Sequence, residues 1–297
     1  MNEFSIRDIE NLTGIKAHTI RIWEQRFSII TPKRKESTHR IYDSEDLKKI
    51  LRIAYLYNNG MKISKIASLN EEDVRKLALE PENKSTDSHI FINQLIEAAL
   101  DFDQPAFENT LTAAVLKTGF EHAVSQIIFP VLNKIGLMWM VNKISPAQEH
   151  FASAIIINKI ISSVSSYPRV LPEPGKKFVL IFTPEEEMHE IPLTVMEYLL
   201  RKNGIAYVNA GKHSSQDVLI PLHEKHGFTD LYFHLITNLR HSSLEEYLQK
   251  LSSTFPNLNI HYSGVVSGFL PPNVKYLHDE KAVKNYVAQL QSAENFQ

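Results

Sequence analysis

Four short apolar runs in the C-terminal part of the chain constrain the fold most: FVLIF (178–182), IAYVNAG (205–211), LYFHLIT (231–237) and NIHYSGVV (259–266). Each is separated from the next by a stretch of helical rhythm, with helices ending near Asn203 and spanning Ser215 to His226 and Ser243 to Ser253. A strand that returns to its sheet through a crossover helix lies parallel to its neighbour and leaves helices on both faces. Residues 176–297 therefore read as a doubly wound parallel α/β domain.

The middle of the chain has another period. Apolar residues recur at helical spacing over Ser88–Leu100, Pro105–Lys117, Phe120–Met140 and Ser145–Val164. The last helix opens on a capping box, with Ser145 as cap, Pro146 in the first helical position and Gln148 reaching back. Four helices with short connections predict a bundle over 88–167. EPENKSTD (80–87) has no apolar residue and reads as a linker that sets off a first module, 1–79. The 297 residues contain no Cys, which excludes disulfides and thiolate-bound metals. The N-terminal MNEFSIRDIE lacks a signal-peptide core, and no apolar run approaches the roughly 18 residues of a membrane span. A cytoplasmic protein without membrane contact is expected.

In the first module, Ser5 and Asp8 can cap a helix striped by Ile6, Ile9 and Leu12 and stopped at Thr13-Gly14. A second helix follows the turn, with Ile15, Ile20, Trp23 and Phe27 inward and His18, Thr19, Arg21 and Gln25 outward. Two helices joined by a Gly-containing turn make a helix-turn-helix. TPKRKESTHRIY (31–42) then reads as a basic hairpin, or wing, carrying Lys33, Arg34, Lys35, His39 and Arg40. Lys16 to Lys65 holds twelve Lys and Arg against five Asp and Glu, a net of +7 in a chain whose formal charge is −2. Such an excess alone fits a solvated surface equally well. Placed on one helix face beside a basic hairpin, it suits double-stranded DNA, because Arg matches guanine edges and phosphates.

FSIRDIENLTGIKAHTIRIWEQRF, TPKRKESTHRIYDSEDLKKI and LYNNGMKISKIASL, in this order, resemble the winged helix-turn-helix of MerR-type transcription regulators. The resemblance implies that Arg21 and its neighbours enter the major groove, while Arg34, His39, Arg40 and Tyr42 hold the wing and phosphates. Trp23 is expected in the core and Glu24 in an ion pair with Arg26. The family works as dimers on palindromic promoter sites. The polar linker after this module places self-association, to a dimer or higher, in the C-terminal half.

A bundle followed by a doubly wound sheet resembles the effector half of the CarA/CarH/LitR subgroup, in which a helical cap covers cobalamin held on a flavodoxin-like domain. WMVNKISPAQEH (139–150) supplies a Trp followed, after nine residues, by Glu-His. The resemblance implies that Trp139, Glu149 and His150 face the upper ligand of the cobalt. PEEEMHEIP (184–192) supplies Glu187 and His189, with His189 the implied cobalt ligand and Glu187 the carboxylate that sets its tautomer. Three features depart from the cobalamin motif. Pro192 stands in place of Gly, Thr237 and Leu239 stand in for Ser-x-Leu, and Ser263-Gly264 replaces Gly-Gly. Adenosylcobalamin or methylcobalamin is the implied cofactor, whose loss in light provides control within the subgroup. The function expected is a non-enzymatic regulator, a repressor, controlled by a cobalamin-binding-like half. The alternative is a cofactor-independent regulator whose C-terminal half serves dimerisation or binds a protein partner.

Overall fold

A computed structural model describes residues 4–30, 32–34, 40–58, 60–79, 88–140, 143–185, 187–236 and 243–292. They gather into two compact units, Met1–Ile156 and Ile157–Gln297, with the division falling inside one helix.

The first unit begins with α1 (Ile6–Thr13), α2 (Ala17–Phe27), the antiparallel pair β1 (Lys33–Arg34) and β2 (Arg40–Ile41), α3 (Ser44–Asn58), α4 (Ile63–Ala67) and α5 (Glu71–Leu79). The capping box at Ser5 forms: Ser5 N donates to Asp8 Oδ2 at 2.7 Å and Asp8 N to Ser5 Oγ at 3.3 Å. Gly14 ends α1 in the left-handed region at φ +74°, where a side chain would be strained. Phe4 and Tyr42 bridge in antiparallel fashion, which extends the return strand of the hairpin. Trp23, Ile20 and Ile9 are buried, as the inward stripes predict.

The bundle follows with α6 (Ser88–Asp101), α7 (Gln104–Thr118), α8 (Phe120–Ala123), a π-helical turn (Val124–Ile128), α9 (Phe129–Met140) and α10 (Pro146–Ser165). The π turn interrupts what the sequence reads as one helix. It lies directly ahead of Pro130, whose ring and missing N–H cannot continue the regular ladder.

The predicted linker, 80–87, lies outside the described residues. Residues on both sides of it fall in the first compact unit. The reason is in α6, which is apolar nearly all round, with Ile90, Ile92, Leu95, Ile96 and Leu100 buried, and so needs cover on more than one side. Part of that cover is α3. Arg52 grips Glu97 with two bonds, Nε to Oε1 at 3.1 Å and a terminal nitrogen to Oε2 at 2.6 Å, both side chains being only 11% exposed. Lys48 reaches Asp101 at 2.8 Å, and Asn93 donates to the Leu51 carbonyl.

The second unit carries β3 (Phe178–Phe182), α11 (Ile191–Lys202), β4 (Ala206–Asn209), α12 (Gln216–His226), β5 (Asp230–Leu235), α13 (Leu244–Thr254), β6 (Asn259–Gly264), β7 (Val274–Leu277) and α14 (Glu280–Ser292). Among the described residues the sheet has the order β4-β3-β5-β6-β7, with every pair parallel. The sequence reading omitted β7 and α14. VKYL is short and half polar, as an edge strand is, and carries little strand signal.

The two faces of the sheet differ. Phe178, Leu180, Phe182, Leu231, Phe233, Leu235, Ile260 and Tyr262 form an apolar core with Leu219, Leu248 and Leu251. The opposite parity of β5 and β6 places Tyr232, His234, His261 and Ser263 on the other face. There His261 stacks on Tyr286 at 4.0 Å with its Nδ1 unpartnered. Burial pulls the His261 pKa down to about 4. The unfolded chain binds a proton between pH 6.5 and 4 that the native state declines, so stability is full above that window and falls through it. The expected loss for His261 at pH 5 is about 2 kcal/mol. Urea titrations at pH 7 and pH 5 measure it, and His261→Phe, which keeps the stack, should remove that part of the difference. An undiminished difference would refute the assignment.

Candidate functional site

The N-terminal candidate face is built on α2. With Ile20 and Trp23 buried, and Trp23 edge-on to Tyr57 at 5.0 Å, the helix is fixed about its axis. His18, Arg21 and Gln25 are then exposed and Thr19 half-buried, with Thr19 Oγ1 3.4 Å from His18 Nδ1. The start of α2 is tied to α1, since Ala17 N and Lys16 Nζ both donate to the Glu10 carboxylate at 3.0 Å.

The wing is fastened to the same helix by Glu24. Arg40 Nε donates to Glu24 Oε2 at 2.6 Å and the Tyr42 hydroxyl donates to Glu24 Oε1. The predicted Glu24–Arg26 pair is thus replaced by Glu24–Arg40, because Arg26 is exposed on the far side while β2 brings Arg40 across the helix. Tyr42 is fully buried, and burial followed by the Glu24 bond raises its pKa well above that of a free phenol. Arg40 and Tyr42 therefore anchor the wing to α2. Lys33 and Arg34 lie on β1, opposite Ile41 and Arg40. Lys35 and His39 lie outside the described residues.

In the bundle, Trp139 stands at the end of α9 and is 47% exposed, so it is not a core residue. Glu149 and His150 are in the first turn of α10. Glu149 Oε2 accepts from His150 Nδ1 at 2.8 Å, and Glu149 Oε1 from Ser153 at 2.6 Å.

In the α/β unit, Glu187 and His189 sit in the loop after β3, at the carboxyl end of the sheet beside β5. Sheet order reverses there, the position at which sheets of this kind bind ligands. Glu187 is wholly buried. Its Oε1 accepts from His189 N at 2.8 Å and contacts His189 Nδ1 at 2.6 Å, while Oε2 accepts from Ile236 N at 2.6 Å after β5. The carboxylate thereby joins the loops of two adjacent strands and directs Nε2 of the half-exposed imidazole outward. Met188, Ile236 and Val266, following β3, β5 and β6, are exposed apolar side chains at the same edge.

The departures from the motif have structural occupants. Pro192 falls in the first turn of α11, where proline starts a helix at little cost. Ser263 Oγ bonds the Tyr232 hydroxyl and His234 Nδ1, both at 2.7 Å. Sequence reasoning missed this trio, although Tyr232/His234 and His261/Ser263 at spacing two on adjacent strands marked a polar sheet face. Burial lowers the His234 pKa to about 4. Gly264 lies at φ +105°, and a Cβ there would sit 1.9 Å from the Leu235 carbonyl oxygen, so the backbone itself demands glycine. Thr237 and Leu239 lie outside the described residues.

Comparison with known proteins matches residues 4–72 to the MerR HTH family of regulatory proteins and residues 91–161 to a B12 binding domain. The chain is 25% identical over 215 residues to the HTH-type transcriptional repressor CarH of Myxococcus xanthus, covering 70% of this chain and 71% of CarH. It is 27% identical over 201 residues to the repressor CarA of the same organism, covering 67% of this chain and 65% of CarA. The monomethylamine corrinoid protein of Methanosarcina barkeri shares the fold with a TM-score of 0.51 at 11% identity, covering 69% of this chain and 100% of that chain. The chain thus joins a MerR helix-turn-helix to a B12-binding domain and is homologous to the CarH and CarA repressors.

Because the Glu24 side chain is only 7% exposed, removing its cation strands a buried charge. Arg40→Met should lower stability by about 3 kcal/mol in urea titration. Arg21→Met, on the exposed face, should change it by less than about 0.5 kcal/mol. Equal effects would place Arg40 at the surface.

Proposed function

We propose that this chain is a DNA-binding transcriptional regulator, a repressor, whose C-terminal half binds a cobalamin and controls DNA binding or assembly. The observation that carries the DNA reading is the exposed row of His18, Arg21 and Gln25 on a helix locked by Trp23 and Glu24, beside a hairpin carrying Lys33 and Arg34. On this reading Arg21 meets a base edge, His18 and Thr19 flank it, and Lys33, Arg34, Lys35 and His39 follow the phosphates. One such module covers few base pairs, so useful affinity requires at least a dimer on a palindromic site. The regulator acts in the cytoplasm and is not an enzyme. Among the described residues no helix is long and apolar enough to cross a membrane.

The cofactor reading rests on the Glu187–His189 dyad. An imidazole whose Nδ1 faces a buried carboxylate is an oriented ligand for a cobalt ion. His189 would hold the metal and Glu187 would fix its tautomer, while Trp139, Glu149 and His150 are the bundle's candidates for contact with the cofactor. Cobalamin, when bound, supplies a cobalt centre with a labile alkyl group, so adenosylcobalamin and methylcobalamin are the forms expected. A second reading is favoured by Ser263, bonded to Tyr232 and His234, and by Pro192, which occupy motif positions with bonded or ring-bearing side chains. In it the half is cofactor-independent and serves dimerisation or binds a protein partner.

Operator binding tests the first part. Removing residues 1–79 should abolish specific binding, and Arg21→Ala should cost about 1–3 kcal/mol with relaxed preference at one base position. If residues 88–297 alone bound the same DNA as tightly, the assignment would fail. For the cofactor, the purified chain is incubated with adenosylcobalamin in the dark and desalted, and its visible spectrum and molar mass are recorded before and after light. Wild type should retain colour, and His189→Ala should shift the spectrum by loss of the cobalt–imidazole bond. Colourless wild type with unchanged mass would select the cofactor-independent reading.

A further inference from the structure

Helix α1 has no basic residue in its last turn, yet the carbonyls there need donors. The donor comes from 122 residues away: Lys134 Nζ, on α9, donates to the Leu12 carbonyl at 2.9 Å. Lys134 is half-buried, and desolvation lowers its pKa. The amine thus gives up hydration to cap a helix end where the backbone dipole favours a cation. The opposite end of α1 is held from the same side of the bundle. Lys143, just after α9, lies 3.4 Å from Asp8 and 6.0 Å over the Phe4 ring. Between these two lysines on the chain stands Trp139. From α1 the path continues to α2, because Glu10 receives the Ala17 amide at the start of that helix.

We propose that Lys134 is a positioning residue for DNA recognition, tying the helix that bears Trp139 to α1 and, through Glu10, setting α2. The inference rests on reading residues 1–79 as the DNA module. With the tie formed, His18 and Arg21 stay exposed, so the contact leaves the recognition face open while fixing α2 against the bundle. A ligand that shifts the end of α9 thereby has a mechanical route to the operator.

Hydrogen exchange and DNA binding of the full chain test this. Lys134→Met should speed exchange of amides in residues 8–20 about tenfold, leave α6 and α7 unchanged, and weaken binding to DNA selected by the wild type about tenfold. Lys134→Arg, which keeps a cationic donor, should restore both; a purely space-filling role would not distinguish Arg from Met in this direction. If Lys134→Met fails to fold, Lys143→Gln at the other end of α1 is read by the same two measurements. Unchanged exchange over 8–20, or a loss in DNA binding that Arg does not restore, overturns the proposal. Absence of DNA binding by the wild type would sink the regulator reading, and with it the recognition role of Lys134, whereas the exchange result separately decides whether the tie exists.

Discussion

A carboxylate taken out of water must be met by donors on its oxygens or it costs several kcal/mol. Both candidate sites of this chain are organised round one such group. Glu24 receives the Arg40 guanidinium and the Tyr42 hydroxyl, and this fixes the wing against α2. Glu187 receives two backbone amides, from His189 and Ile236, and lies against the His189 imidazole, which fixes the loop after β3 against the end of β5. In each case the exposed residue that could meet a partner, Arg21 or His189, is not the one that bears the burial. It is carried by a local frame that the buried carboxylate makes rigid.

What could be read from the sequence follows from how local each feature is. The capping boxes at Ser5 and Ser145, the inward stripe of Ile20 and Trp23, and the parallel sheet with its crossover helices are all encoded within a few residues, and the structure has them. Long-range pairings were harder. Glu24 with Arg26 is the expected pair, but two positions apart on a helix they point to opposite sides, and the partner is Arg40, delivered by a hairpin whose register no short window reveals. The docking of α3 on α6 was likewise hidden. Arg52 and Glu97 are 45 residues apart and separated by a polar segment that reads as a spacer. At the candidate site in the α/β unit the His-Glu pair was legible because its members are two residues apart, whereas the bond from Ile236 N to Glu187 spans 49 positions.

The departures from the cobalamin motif weigh less than their number suggests. Gly264 is required by a backbone at φ +105° that touches the Leu235 carbonyl, so its presence is no sign of a ligand. Pro192 stands where a helix begins and fits that role without reference to any ligand. Ser263 is held by Tyr232 and His234 on a polar face that continues to His261 and Tyr286. These positions answer to the fold, so the support they lend the cofactor-independent reading is indirect.

The dyad is different, because its tie between two loops is made by a buried charge. Joining two loops at the edge of a parallel sheet is ordinarily done by backbone bonds such as Thr183 N to Gly211 O and Ser214 N to Thr183 O, which occur here between β3 and β4. Placing a fully buried carboxylate at the equivalent point beside β5 adds a desolvation cost that apolar packing would avoid. The half-exposed imidazole it supports is not part of the core. A costly buried acid that orients an accessible base, at the crevice where sheet order reverses, is the arrangement expected of a ligand site. That cost is the physical reason for ranking the cofactor-bound reading above the cofactor-independent one.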